Sequence, residues 1–561
     1  MTESEISAIA KLSRLAAEKA EAEKRKNGEK TEIDRALAKY YCDNNEYEKG
    51  LKLYKEIIQA EDNEEDIKKF IDYTVKYSAG FFRSREWNKI LELYKDLLKY
   101  DKKVPDNFYK NIGLCLTSMG SHESAIKFLK VYQKKFPKDS QVYLLIGEIL
   151  FEKLNKFEEA IGYYERALSL GDKSFIVYNT LGHLYSKVYR DSRKEEQINY
   201  LEKAYALDPK NRIVVKNLAY VYGKFDEIEK ADRMWKELLT LNPLYTDLHS
   251  YGAYLVKHGR FREGFDYLRN RFQKEDLPGP AFASIMQYKD RMWKIEESLA
   301  GKKVLVHYEQ GFGDTIMFIR YVNQLKNRCN DVVVIAQDTL IPLLRDSNIQ
   351  VPVRSRFEMK DINFDVLIPM MDLPLICGTT KDTIPYSEGY LNVPNELVEE
   401  YRKNYIESNN KLKIGFAFEG AEASLETKRD IPLEYFYRFM RMENVDMYCF
   451  QVGDLFKQLD RVPSDCEFKK LGSTFRTWED TACAMKCMDL IITSDNGILN
   501  LAGALGVKTF GVFNSMSEWR WIDTKGEDVK WYKSVKPFSC DTSNNWTYAM
   551  NNVAEEVKKL L

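Results

Sequence analysis

The chain has 561 residues, 44% of them apolar, enough for two to four domains that each bury a core. Its 85 Lys and Arg almost cancel its 86 Asp and Glu, so there is no global positive field of the kind that draws a nucleic-acid partner. No apolar run approaches a membrane span, the acidic start Met1-Thr2-Glu3-Ser4-Glu5 has neither signal nor transit character, and the nine scattered cysteines fit a reducing compartment, so the expectation is a cytoplasmic chain with no membrane span.

Residues 1–35 are charged and Ala-rich (Ala16-Ala17-Glu18-Lys19-Ala20-Glu21) and read as a solvated helix or a disordered segment. From 36 to 275 an internal repeat dominates. An apolar residue followed by a small one recurs at Ile112-Gly113, Ile146-Gly147, Leu181-Gly182, Leu218-Ala219 and Tyr251-Gly252, at spacings of 34, 35, 37 and 33 residues. A second small residue returns at Ala125, Ala160, Ala231 and Gly264, where paired helices must approach closely, and Pro137, Pro209 and Pro243 end units. The pattern resembles the tetratricopeptide repeat, two antiparallel helices per unit stacked into an α solenoid. Tyr40 to Ile58 and Phe70 to Leu98 read as degenerate earlier units. A groove of this kind suits an extended polypeptide; a spacer or a dimerisation arm is the plainer alternative.

Near Asp276-Leu277-Pro278-Gly279-Pro280 the helical period breaks. Short β-rich runs then alternate with helical stretches, at Lys303 to Tyr308, Val332 to Ala336, Val366 to Pro369, Lys413 to Phe418, Met447 to Val452, Leu490 to Thr493 and Thr509 to Phe513. Such alternation predicts α/β architecture with parallel sheets, in two groups: residues 276–405 and 406–545, with a last helix over 546–561. Ligands of open parallel sheets bind beyond the carboxyl ends of the strands. Two loops lie at such ends, Tyr308-Glu309-Gln310-Gly311-Phe312-Gly313-Asp314-Thr315 and Ser494-Asp495-Asn496-Gly497-Ile498-Leu499-Asn500. In the first, Gly311 and Gly313 permit a tight turn and Thr315 follows Asp314 into a helix; in the second, first-turn N–H groups offer a phosphate seat. A purely structural strand-turn-helix is the alternative for each. Cys483 and Cys487, four residues apart, read as helix core rather than a metal site.

Several motifs occur in a familiar order: Gly259-Arg260-Phe261-Arg262-Glu263-Gly264-Phe265, Trp293, Leu299-Ala300-Gly301-Lys302, Glu309-Gln310-Gly311-Phe312-Gly313-Asp314 with Arg320-Tyr321, Arg429-Asp430-Ile431-Pro432-Leu433, Asp480-Thr481-Ala482, Asp495 to Leu505, and Trp519-Arg520-Trp521 before Trp531-Tyr532. Over about 260–545 the chain resembles bacterial tetratricopeptide-repeat glycosyltransferases, whose catalytic half is similar to the lipopolysaccharide heptosyltransferases. The resemblance implies a GT-B fold of two Rossmann-like domains facing a cleft. The first receives the acceptor, the second binds a nucleotide-sugar, and the final helix returns to brace the first. It implies inverting, metal-independent transfer with no cofactor beyond the nucleotide-sugar co-substrate, and the chain has no Asp-x-Asp motif.

On the same resemblance Asp314 is the general base. Lys428 and Arg429 face the donor phosphates, Asn496 and Gly497 offer backbone N–H groups to the diphosphate, Asp495 orients that loop or binds donor, and Gln451 lines the base pocket. Asn500 stands where the family has His, and Phe418-Glu419-Gly420-Ala421 where it has Trp-Ser-Gly-Asn; asparagine donates a hydrogen bond but carries no positive charge. All five histidines lie at or before the first strand, which argues against a Ser-His-Asp apparatus in the cleft. The function expected is a glycosyltransferase whose repeats hold a protein acceptor. The alternatives are a transferase acting on a glycan or lipid-linked sugar, and a non-catalytic scaffold with a degenerate nucleotide-binding half.

Overall fold

The computed structural model describes residues 26, 28, 30–100, 102–189, 192–273, 280–295, 297–420, 429–514, 519–521, 529–540 and 545–561. The charged segment before residue 26 lies outside them. The described chain divides into two compact units, Met1–Val177 and Tyr178–Leu561, the division falling inside the helix Phe175–Val188 rather than near residue 275, where the repeats end.

The first unit is a succession of paired helices: Tyr47–Ala60 with Glu64–Ser84, Trp87–Leu97, Phe108–Ser118 with His122–Lys135, and Ser140–Glu148 with Phe157–Ser169. Asn63 and Asp139 cap two of them by accepting first-turn N–H groups. The repeated small residues act as the spacing implied. Ala125 and Ala160 are fully buried, and a Cβ on Gly113 would lie 2.6 Å from the Leu129 side chain. Paired helices of tetratricopeptide type are thus what the first part of the chain builds.

The second unit continues with Lys194–Leu207, Arg212–Lys224, Ile228–Leu239, Tyr245–Lys257 and Phe261–Leu268. Gly252 and Gly264 bring the last two helices into backbone contact, a Cβ on Gly252 falling 2.8 Å from the Gly264 carbonyl oxygen. Two parallel sheets follow. The first has strands β1 (Lys303–His307), β2 (Asp331–Ala336), β3 (Val353–Ser355) and β4 (Val366–Pro369) in the order β3-β2-β1-β4. The second has β5 (Leu412–Ala417), β6 (Val445–Cys449), β7 (Lys469–Lys470), β8 (Leu490–Ser494), β9 (Thr509–Phe513) and β10 (Val535–Ser539), ordered β10-β9-β8-β5-β6-β7. Numbered within that sheet, this is the doubly wound order 3-2-1-4-5-6, whose switch point lies between β5 and β8; in the first sheet it lies between β1 and β4.

One apolar cluster runs from Val256, Phe261, Phe265 and Leu268 of the last helix pair, through one face of the first sheet, to Leu499, Trp531 and Tyr532 beside the second. The C-terminal helix Trp546–Lys558 differs from expectation. Its buried face, Ala549, Met550, Val553, Ala554 and Val557, packs with Phe510, Val512 and Phe538 on the second sheet rather than returning to the first, because those strands leave an apolar face for it to cover. Cys483 and Cys487 are buried and all nine cysteines are free thiols. Among the described residues no helix is long and apolar enough to cross a membrane.

Candidate functional site

The switch points of the two sheets adjoin, and the loops beyond them bring most of the predicted residues together. The loop after β1 leads through Gly311 into the helix Phe312–Phe318, with Asp314 in its first turn. Thr315 is buried and donates to Gln337 Oε1 at 2.9 Å, and Gln337 Nε2 donates to the Gln310 carbonyl at 3.1 Å, so the end of β2 pins the loop from below. Gly311 has open space where a Cβ would stand. Gly313 does not: a Cβ there would sit 2.9 Å from Asn500 Nδ2 and 3.7 Å from Gly497 Cα, so its lack of a side chain lets this helix meet the helix Gly497–Ala504 beyond β8.

Asp314 is paired. Arg520 Nε donates to its Oδ1 at 2.6 Å, and Arg520 Nη2 donates to Gln310 Oε1 at 2.8 Å. The guanidinium also lies over the Trp519 ring, 4.5 Å from its centroid. Reading the sequence assigned Arg520 no role, since nothing in its spacing ties it to a carboxylate 206 residues earlier; a cation between two tryptophans was the available signal.

Beyond β8, Asn496 is the N-cap of its helix. Its Oδ1 accepts from the N–H groups of Ile498 at 2.9 Å and Leu499 at 3.3 Å, while its Nδ2 donates to Thr493 Oγ1 at 3.0 Å. Two of the first-turn amides expected to face a ligand are therefore taken by the loop's own side chain. Asp495 Oδ2 lies 3.7 Å from Arg429 Nη1. Gly420 adjoins Arg429 and Asn496, a Cβ on it lying 3.6 Å from Asn496 Cβ and 3.9 Å from Arg429 Nε. Arg429, Asp495, Asn496 and Gly497 thus gather at the β5–β8 switch point, whereas Lys428 lies outside the described residues.

Gln451 serves the backbone. Its Oε1 accepts from the N–H groups of Phe418 and Glu419 at 3.3 and 3.2 Å and its Nε2 donates to the Glu419 carbonyl at 3.1 Å, closing the loop after β5. Burial pushes the Glu419 and Asp430 carboxyls above their ordinary range, where Gln458 and the Gly420 N–H partly oppose it. Asn500 is also engaged, donating to the Asn496 carbonyl at 3.3 Å and accepting from the Tyr532 hydroxyl at 3.0 Å. Trp478, which no sequence motif flagged by role, closes the other side: a Cβ on Gly497 would lie 2.8 Å from its ring, and Phe312 meets it with centroids 5.2 Å apart.

No protein-family model matches the chain. Protein FlbA of Caulobacter vibrioides is 22% identical over 481 residues, covering 80% of this chain and 78% of FlbA. Similar solved structures include YrrB, titled a TPR protein with an unusual peptide-binding site, at 16% identity over 32% of this chain and 90% of that one, with a TM-score of 0.28. A thermophilic TPR protein of Thermus thermophilus is similar at 17% identity over 30% of this chain and 92% of that one, with a TM-score of 0.26. Helix pairs of tetratricopeptide type followed by two parallel sheets, with Asp314, Arg520, Arg429 and Asp495 in the loops where their switch points adjoin, are what the chain itself presents.

Proposed function

We propose that the chain is an inverting, metal-independent glycosyltransferase of GT-B type, using a nucleotide-sugar as co-substrate and a protein as acceptor. The observation that carries this reading is that Asp314, in the first helical turn after β1, adjoins the capped helix after β8, with Arg429 and Asp495 at the neighbouring strand end. In this reading Asp314 is the base, and Arg429, facing Asp495 at the neighbouring strand end, is the cation available to the donor phosphates. In the proposed reaction the acceptor hydroxyl gives its proton to Asp314 while its oxygen attacks the anomeric carbon from the face opposite the leaving group. The bond from that carbon to the diphosphate oxygen breaks, and the nucleoside diphosphate leaves. Arg429 and the positive end of the Gly497–Ala504 helix take up the developing charge. The helix pairs of the repeats hold the polypeptide.

Two observations favour a second reading, a scaffold that binds nucleotide-sugar without turnover. Arg520 already pairs with Asp314, and Asn496 already occupies two amides of the helix end. Thermal shift and transfer assays across UDP-, GDP-, ADP- and CMP-sugars separate the readings. Binding by at least one donor is expected, and binding by none overturns the transferase. With that donor, Asp314→Ala is expected to lower transfer on the order of 10³-fold while donor affinity stays nearly unchanged. Equal transfer by the variant removes Asp314 as base, and a donor bound by the wild type without transfer to any acceptor selects the scaffold.

A further inference from the structure

A cluster of buried charges in the second unit lies where the last helix pair ends, and the proposed chemistry does not use it. Just beyond the helix Phe261–Leu268, Arg271 is 6% exposed. Its Nε donates to Glu309 Oε2 at 2.6 Å and its Nη2 to Glu309 Oε1 at 2.9 Å, a two-pronged grip on one carboxylate. The same Nη2 reaches Asp372 Oδ1 at 2.7 Å, and Nη1 donates to the Leu268 carbonyl at 3.0 Å. Arg269 adds a second cation, its Nε 3.0 Å from Asp372 Oδ2 and its Nη2 donating to the Trp293 carbonyl at 2.5 Å. Two positive and two negative groups therefore balance. Burial alone would push the Arg271 guanidinium down, but the two carboxylates outweigh it and hold it above its ordinary value.

Glu309 lies in the loop after β1, five residues before Asp314, and Asp372 follows β4 across the switch point. Glu309 Oε1 also accepts from the Met371 N–H at 2.8 Å, so one carboxylate ties the loops after β1 and β4 to the end of the repeats. Apolar residues would fill such a site at least as stably; what a buried ionic group adds is one allowed geometry. The far end of the Asp314 helix is fixed separately. Arg320 follows it, 2% exposed, and donates to the carbonyls of Met317 and Trp531, each at 2.8 Å.

We propose that Arg271 is a positioning residue for the Asp314 loop. The last turn of the helical repeats sets the place of the reactive carboxylate through Glu309 and Asp372, and the repeat region is part of the catalytic geometry as well as an acceptor arm. The catalytic half of this inference rests on the glycosyltransferase reading; the positional half is measured without it. In the full chain, hydrogen exchange is followed for the amides of residues 310–318 and, as control, the Trp546–Lys558 helix, in the wild type, Arg271→Gln, Arg271→Lys and the charge-balanced pair Arg271→Met with Glu309→Gln. The pair keeps the described cluster neutral if the single change does not fold. Exchange over residues 310–318 is expected to rise at least tenfold in Arg271→Gln and in the pair, less in Arg271→Lys, with the control helix unchanged. Equal exchange in the loop, or an even rise over both regions, overturns the positioning role. With a donor that binds, kcat is expected to fall at least tenfold while donor Kd stays within twofold; a change confined to Kd overturns it too. If no donor binds the wild type, the transferase reading fails while the exchange result still decides whether Arg271 holds the loop.

Discussion

The loop after β1 takes its shape from side chains delivered from far along the chain, whereas the loop after β8 is shaped from within. Arg271 and Arg520 reach Glu309 and Asp314 across 38 and 206 residues. Asn496 caps its own helix two and three residues ahead and is braced by Thr493 three residues behind. A loop held by distant ions can be disturbed by changes elsewhere in the fold, and its carboxylate moves with its partners. A self-capped loop keeps its form as long as its strand and helix do. The Asp314 loop should accordingly respond to remote substitutions and the Asn496 loop to local ones.

The largest expected break in that contrast is Arg520→Met, which keeps an aliphatic stem beside Trp519 and removes both donors to the first loop. A carboxylate misplaced by about 1 Å loses on the order of 10²-fold in rate, so transfer should fall by that order with donor affinity nearly unchanged. Transfer within twofold of the wild type would mean that Asp314 keeps its place without Arg520. A smaller effect separates the two glycines of the loop. Gly313→Ala places a methyl group 2.9 Å from Asn500 Nδ2, where the two helices meet, and should cost about 1–3 kcal/mol in denaturant unfolding. Gly311→Ala enters open space at φ −68° and should cost under about 0.5 kcal/mol. Equal costs would show that the close approach is not what selects glycine.

The strand that leads into the first loop also carries a pH signature. His307, the last residue of β1, is fully buried with its ring against Tyr308, and burial lowers it from 6.5 to about 4. Its neutral form is the one the fold favours. The stability it contributes is fully present above pH 6.5 and is lost as pH falls toward about 4. At pH 5 the loss is about 2 kcal/mol relative to pH 7. Chemical denaturation of the wild type and His307→Leu at the two pH values should show that part of the slope disappearing in the variant. An unchanged slope would assign acid sensitivity to other groups.

The same contrast explains what could be read from the sequence. Periodicity located the helix pairs and seven of the strands, because Val, Ile and Phe runs such as Val332 to Ala336 are local signals. It passed over β3 and β7, three and two residues long, and β10, where Pro537 masks a strand that its place at the sheet edge allows. The Asn496 loop was legible as a helix start with first-turn amides, but not that the Asn496 side chain would take two of them. Arg520 and Arg271 did not announce their partners, since an ion pair has no sequence spacing, and the packing of the C-terminal helix depended on which sheet left an apolar face open. Gln451 and Asn500 were legible as polar residues at strand and helix ends, but not that backbone groups and Tyr532 would occupy them.

The smallest effect tests the local side of the comparison. In Asn496→Ala the Ile498 and Leu499 amides lose their acceptor, and a lost cap of this kind costs about 1 kcal/mol. If those amides form the proposed phosphate seat, the variant should be less stable without donor yet bind a diphosphate at least as tightly, a combination that a purely structural cap would not give. Asn496→Asp keeps the acceptor and adds a negative charge beside the proposed phosphate seat. It should retain the stability and weaken the diphosphate. Paired denaturation and calorimetric titration of the two variants read both quantities. Loss of stability and affinity together in Asn496→Ala would mean that the capped geometry, rather than open amides, forms the seat.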